Sequence, residues 1–92
     1  MTINGYDLVL TCSWCPEQYD VFKDGKQVGY LRLRHQHFTA EVPDCMGQLV
    51  YSARPKGDGG FESSERMGFL TKAIEAIDQS RLYSTQPISD AL

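Results

Sequence analysis

Residues 29–42 read GYLRLRHQHFTAEV, and the alternation of apolar and polar side chains in this stretch decides the fold class. Side chains along a β-strand point alternately to opposite faces of the sheet, so a period of two predicts strands with one buried face. The side chains expected on the buried face are Leu31, Leu33, Phe38, Ala40 and Val42. Those expected on the exposed face are Tyr30, Arg32, Arg34, His37, Thr39 and Glu41.

Further β-prone segments flank this pair of strands on both sides. Residues 7–12 (DLVLTC) and 17–23 (EQYDVFK) precede it, and residues 48–54 (QLVYSAR) follow it. Asp24-Gly25 suits a two-residue hairpin because both of its positions need positive φ. The sequence therefore predicts an antiparallel meander of four or five strands.

The remaining segment with a clear period is helical. Residues 55–60 (PKGDGG) contain too much glycine for a strand and predict a hinge. Ser63 or Ser64 can then cap a helix of about five turns that ends near Leu82. Its apolar stripe, at three- and four-residue spacing, consists of Met67, Leu70, Ala73, Ile74 and Ile77. Because the stripe needs an apolar surface to cover, we expect an α+β fold in which the helix packs on the buried face of the sheet.

The length of the chain indicates one domain. Its 92 residues bury too little surface for a deeply enclosed active site to be expected. We assign residues 1–83 to the domain and residues 84–92, which lack a periodic pattern, to a flexible tail. The sequence has no apolar run of about 20 residues and no basic, apolar N-terminal signal, so a cytoplasmic protein is expected.

The charge is acidic overall but unevenly distributed. A net charge of −3 argues against a nucleic-acid-binding surface, which draws its affinity from clustered Lys and Arg. Residues 26–40 nevertheless contain no acid, and they carry Lys26, Arg32, Arg34 and both histidines. An acidic protein with one basic strand favours contact with a charged surface of another protein.

The cysteines suggest a metal site as one interpretation. Cys12 and Cys15 are spaced as two ligands of one tetrahedral zinc ion, and His35, His37 and Cys45 could supply the remaining ligands. The predicted set is Cys12, Cys15, His35 and Cys45. The alternative is that these are core or turn thiols, because a single Cys-x-x-Cys pair is a weak signal. No disulfide framework is expected from three cysteines in a chain with no secretion signal.

The exposed sheet face is the better candidate for binding. Tyr and Arg dominate binding hot spots because they offer rigid or forked contacts. The predicted contact set is Tyr30, Arg32, Arg34, Thr39, Glu41 and Tyr51, with Tyr19 as a further neighbour. The alternative is that these residues only pair across strands, for example Arg32 with Glu41. No nucleophile arrangement is evident, so an enzyme is not expected.

The run CPEQYDVFKDGKQVGYLRLRHQHF, with YSARPKGDGGFES and ERMGFLTKAIEAI, resembles small uncharacterised proteins encoded by bacteriophages and prophages. The likeness covers residues 15–77 and transfers no catalytic residue. It implies a compact accessory factor that binds a host macromolecule, including inhibitors of restriction or CRISPR systems.

Three hypotheses follow from these observations. The preferred one is a non-enzymatic phage accessory protein that binds a host protein or nucleoprotein complex. The second is a small nucleic-acid binder that contacts phosphates through Lys26, Arg32 and Arg34. The third is a zinc-stabilised domain. Self-association into a homodimer is left open.

Overall fold

The computed structural model describes residues 1–12, 17–56, 61 and 63–85. Six strands form one antiparallel sheet in the order β1-β2-β3-β4-β5-β6, and one helix follows them. The elements are β1 Thr2–Ile3, β2 Tyr6–Cys12, β3 Glu17–Lys23, β4 Lys26–Arg34, β5 His37–Val42, β6 Gln48–Ala53 and α1 Arg66–Thr85. The α+β prediction of a meander with a C-terminal helix is confirmed, although the sheet has six strands instead of four or five.

The additional strand is β1, which is too short for alternation to reveal it. It contains two residues and turns into β2 through Asn4 and Gly5, which have φ values of 52° and 83°. The Leu8 amide also donates to the Met1 carbonyl oxygen at 2.7 Å. The first residues of the chain therefore belong to the sheet.

The two hairpins on either side of β4 both use left-handed backbone. Asp24 and Gly25 have φ values of 54° and 79°, which confirms the predicted two-residue turn between β3 and β4. His35 and Gln36 have φ values of 54° and 62° in the corresponding turn between β4 and β5. Neither is glycine, so this tight turn carries two long side chains at the end of the sheet.

The core lies between α1 and one face of the sheet, where the helix contacts β4, β5 and β6. The sheet residues Leu31, Leu33, Phe38 and Ala40 are at most 1% exposed, and the helix residues Leu70, Ala73, Ile74 and Ile77 are 0% exposed. The predicted packing of the stripe on this face is confirmed, with Val42 partly buried against the same cluster. The prediction that Met67 belongs to the buried stripe is wrong, because its side chain is 54% exposed. Phe69 packs against the core instead.

The helix begins and ends later than the sequence predicted. It starts at Arg66, whereas a cap at Ser63 or Ser64 would place the first helical residue at position 64 or 65, and the Phe69 amide donates to the Glu65 carbonyl oxygen at 3.1 Å. It ends at Thr85 and so includes two positions, 84 and 85, that were assigned to the tail. The rest of that tail, residues 86–92, and most of the predicted hinge, residues 57–60, lie outside the described residues. Within the described ranges, no helix is long and apolar enough to cross a membrane.

Candidate functional site

The sheet face opposite the helix, called here the outer face, carries most of the predicted contact residues. In the register of β4 and β5, Tyr30 lies opposite Glu41, Arg32 opposite Thr39, and Arg34 opposite His37. These positions alternate with Leu31 and Leu33, which point into the core. The structure thus places Tyr30, Arg32, Arg34, Thr39 and Glu41 on one face.

Tyr19 and Tyr51 do not belong to this face, and their predicted placement there is wrong. Tyr19 pairs with Leu31 and Tyr51 pairs with Ala40, so both tyrosines share the core face. The Tyr51 ring makes an edge contact with Phe38 at a centroid distance of 6.0 Å. Both rings therefore fill space under the helix.

Tyr30 is on the outer face but is not displayed as predicted, because it is only 8% exposed. It lies between Asp20 on β3 and Glu41 on β5. The connection after β5 turns back towards it, since the Met46 amide donates to Glu41 Oε1 at 3.0 Å. Burial raises the pKa of Tyr30; Cys45, Glu41 and Asp20 add to the rise, and Arg32 opposes it. Tyr30 therefore supports the outer face and offers little surface to a partner.

The most distinctive feature of the outer face is an open cleft of about 320 Å³, called here the basic cleft. It is lined by Arg32, Arg34, His35, His37, Thr39 and Arg54. None of these residues carries a negative charge. Three guanidinium groups and two imidazoles thus surround one depression.

Strands β4, β5 and β6 each contribute one part of the basic cleft. Arg32 and Arg34 come from β4, and Thr39 and His37 lie beside them on β5. Arg54 directly follows Ala53, which pairs with Phe38, so it lies on the far side of β5. The floor is therefore formed by β5, and arginines stand on both sides of it.

Hydrogen bonds hold the floor of the basic cleft in place. A 2.6 Å hydrogen bond joins His37 Nε2 and Ser52 Oγ, which links β5 to β6. The Thr39 hydroxyl donates to the carbonyl oxygen of Arg32 at 3.5 Å, which links β5 to β4. The cleft is thus built on paired strands, with the apolar core directly behind it.

The arginines of the basic cleft have no acidic partner among the described residues. Arg32 faces Thr39 rather than Glu41, so the cross-strand Arg32–Glu41 pair considered from the sequence is not formed. An ion pair among the described residues joins Arg66 and Glu17, on the other side of the sheet. Guanidinium groups held together without counter-charge create a positive potential that attracts anions.

Sequence reasoning assigned no binding role to Arg54; it placed His37 on the exposed sheet face and named both histidines as possible metal ligands. The register between β5 and β6 shifts between Ala40 and Glu41, so counting along the hairpin does not locate Arg54. His35 and Gln36 both have positive φ, so this turn interrupts the strand alternation and counting along the chain does not place His35. The sequence feature that could have located Arg54 is its position at the end of β6, which runs antiparallel to β5 and so ends beside His37.

The predicted zinc ligands are not brought together. Cys15 and the side chain of Cys12 lie outside the described residues. His35 precedes β5 and Cys45 follows it, so a strand of about 20 Å separates them, whereas zinc ligands lie about 2.0–2.3 Å from the metal. His35 and Cys45 therefore cannot share one ion, which corrects the predicted set. No group of three or more potential metal ligands occurs in the part of the chain that the structure describes.

A second polar cluster lies on the helix side and is structural. Arg66 donates through Nε and Nη2 to the two carboxylate oxygens of Glu17, at 3.0 and 3.1 Å. Tyr19 donates its hydroxyl to the same carboxylate at 2.6 Å. The cluster ties the first turn of α1 to the start of β3. Burial, with the hydrogen bond to Glu17, raises the pKa of Tyr19 from 10.0 to about 12.

The raised pKa of Tyr19 predicts a loss of stability at alkaline pH. The folded protein retains a proton that the unfolded chain releases above its ordinary pKa of 10.0, so this stabilisation is complete below pH 10.0 and is lost as pH rises towards about 12. We expect Tyr19→Phe to flatten the fall in unfolding free energy over this interval, as measured by urea denaturation at several pH values. Tyr51→Phe is the control, because burial alone raises its pKa, and it should flatten the curve less. Equal slopes for Tyr19→Phe and the unmodified protein would contradict the prediction.

Comparisons with protein-family models, with curated proteins and with solved structures find no match to this chain. The resemblance to phage and prophage proteins therefore stays a prediction. Function has to be inferred from the fold and the basic cleft.

Proposed function

We propose that this protein is a non-enzymatic binding protein that captures an acidic surface of a host macromolecule through the basic cleft. This is the activity expected of a phage accessory protein that inhibits or modulates a host component, such as part of a restriction or CRISPR defence system. The observation that supports the proposal is the cluster of Arg32, Arg34 and Arg54 around one cleft, without an ion-pair partner among the described residues.

The architecture favours binding because the arginines stand on a rigid support. Strands β4 and β5 are paired along the stretch that carries the cleft, residues 30–34 with residues 37–41, and the other face of this stretch is packed against the helix. Ordering a flexible surface costs free energy on binding, so a preformed sheet face loses less. Each guanidinium group also offers a planar fork of donors that matches a carboxylate. An acidic partner surface would therefore meet arginines whose backbone is already in position.

Charge on the rest of the protein favours a protein partner over a nucleic acid. The net charge of −3 repels a long polyanion. Asp20 and Glu41 lie on the outer face about 7 Å along the strands from Arg32 and Thr39, in the next row of the sheet. A nucleic-acid strand that continued along the sheet would meet these carboxylates. A compact acidic patch on a protein would not.

The test is charge reversal at the basic cleft. The tagged protein is used to capture host proteins, and the recovered partner is then purified for affinity measurements. We expect Arg32→Glu with Arg34→Glu to weaken this partner's affinity at least tenfold, which corresponds to about 1.4 kcal/mol. The thermal midpoint should change little, because both side chains lie on the outer face and away from the core.

Lys26→Glu with Lys72→Glu is the matched control, since it changes the net charge equally. Both lysines are exposed, Lys26 at the opposite end of β4 from the cleft and Lys72 on the helix. Undiminished binding by the arginine variant, or equal loss in the control, would reject the basic cleft as the contact. Salt-dependent retention of duplex DNA at about 50 mM salt, lost in the arginine variant, would instead support the nucleic-acid hypothesis.

A further inference from the structure

We propose that the basic cleft binds a single phosphate monoester dianion, carried by a phosphorylated side chain of the partner protein. This inference rests on the proposed function and names the chemistry of the same site. It follows from the number of positive charges, from their arrangement around one point, and from the acidic row beside them.

The number of cations exceeds what one carboxylate can neutralise. Three arginines line the basic cleft, whereas a carboxylate carries one negative charge and two oxygens. A phosphate monoester carries about −1.5 to −2 near neutral pH and offers three strong acceptor oxygens. Arginine forks pair with such oxygens through two parallel hydrogen bonds. The dianion therefore matches the donors of the cleft better in both charge and acceptor number.

The arginines are arranged around one position instead of along a line. Arg32 and Arg34 stand two residues apart on β4, which is about 7 Å along the strand. Arg54 stands beyond β5, about 10 Å away across two strand spacings. Between them lie Thr39 and His37, with the His37 ring fixed by its bond to Ser52. One compact anion above β5 is within reach of long side chains from both flanks, with Thr39 and the His37 ring beneath it.

The acidic row of the outer face selects against a phosphodiester chain. Asp20 and Glu41 occupy the outer-face row next to that of Arg32 and Thr39. A diester also has only one charge and two free oxygens per phosphate, so it would leave guanidinium donors unused. These features favour a terminal phosphoryl group and, together with the net charge of −3, a phosphorylated protein over a nucleic acid.

The direct test uses small probes of known charge at equal ionic strength. Phenyl phosphate, dimethyl phosphate and benzoate are titrated into the isotope-labelled full chain, and backbone amide shifts are followed by NMR. We expect saturable shifts at His37, Thr39 and Arg54 with phenyl phosphate, and an affinity at least tenfold higher than for the diester or the carboxylate. Arg54→Gln should lower the affinity for phenyl phosphate at least fivefold. Lys72→Gln on the helix should leave this affinity unchanged.

The possible results separate this inference from the proposed function. Benzoate binding as tightly as phenyl phosphate would overturn the monoester assignment, while loss of partner capture in the Arg32/Arg34 variant would still support an acidic contact. Absence of shifts with every anion, together with undiminished capture by that variant, would overturn both. A phosphoserine peptide should bind more tightly than a 5′-phosphorylated oligonucleotide. The reverse order of affinities would overturn the inference that the phosphate is carried by a protein.

Discussion

Replacing Phe38 with alanine is expected to lower the free energy of unfolding by about 3–5 kcal/mol. The Phe38 ring is 1% exposed and lies at the centre of an aromatic cluster. Its centroid is 5.0 Å from that of Phe61, 6.0 Å from that of Tyr51 and 6.3 Å from that of Phe69. These rings come from β6, from the segment before the helix and from the helix itself, so truncation leaves a cavity that no single element can close.

The size of the domain makes this loss severe. A chain of 92 residues has a total stability of about 5–14 kcal/mol, so the variant would lose a substantial part of it. Urea denaturation followed by circular dichroism measures the change. Phe22→Ala is the matched control, because Phe22 is a half-buried ring on the outer face, and it should cost clearly less. Removing a single buried methylene group costs up to about 1.5 kcal/mol. If Phe38→Ala lowered the free energy of unfolding by less than this, Phe38 could not be the centre of a packed aromatic cluster.

Alternation was sufficient to predict the central strands because their two faces differ strongly in chemistry. In β4 and β5, leucine, phenylalanine and alanine alternate with arginine, threonine and glutamate. Only one assignment of side chains to the two faces therefore buries all the apolar residues. In β6 the consecutive residues Leu49, Val50 and Tyr51 define no period of two, and the sequence-based prediction placed Tyr51 on the wrong face. An amphipathic tyrosine fits either face, and the contact with Phe38 decides between them.

The basic cleft depends on relations that a single strand does not contain. Arg32 and Arg34 were recognised because they are neighbours in sequence and share a face. Arg54 joins them only through the register of β5 with β6, which includes a bulge. Tyr30 was expected to be exposed because its strand position is on the outer face; its burial arises from the connection after β5, which the sequence pattern does not describe. The fold class was thus predictable from local pattern, whereas the composition of the site required the pairing of distant strands.

Replacing Gly29 with valine is the second change expected to have a large effect, at about 3 kcal/mol of destabilisation, the upper end of the range for overpacking. A Cβ atom at Gly29 would lie 2.6 Å from Ile77 Cδ1 and 3.5 Å from Val21 Cβ. Ile77 is 0% exposed, so its side chain has little room to move away. Valine adds two further methyl groups at the same point, and the helix would have to shift to admit them.

Whether Gly29→Val lowers or raises the free energy of unfolding tests the packing of the helix on β4 directly. Gly29 lies within β4, where valine is intrinsically favoured over glycine. Without a helix at this point the substitution would stabilise the strand, so increased stability would refute the packing. Gly29→Ala combined with Ile77→Val is the compensating pair, since valine lacks the Cδ1 atom that a new Cβ would meet. In urea denaturation, the double variant should lose less stability than the sum of its two single variants, by about 0.5 kcal/mol or more. Additive losses would show that Ile77 does not lie over Gly29.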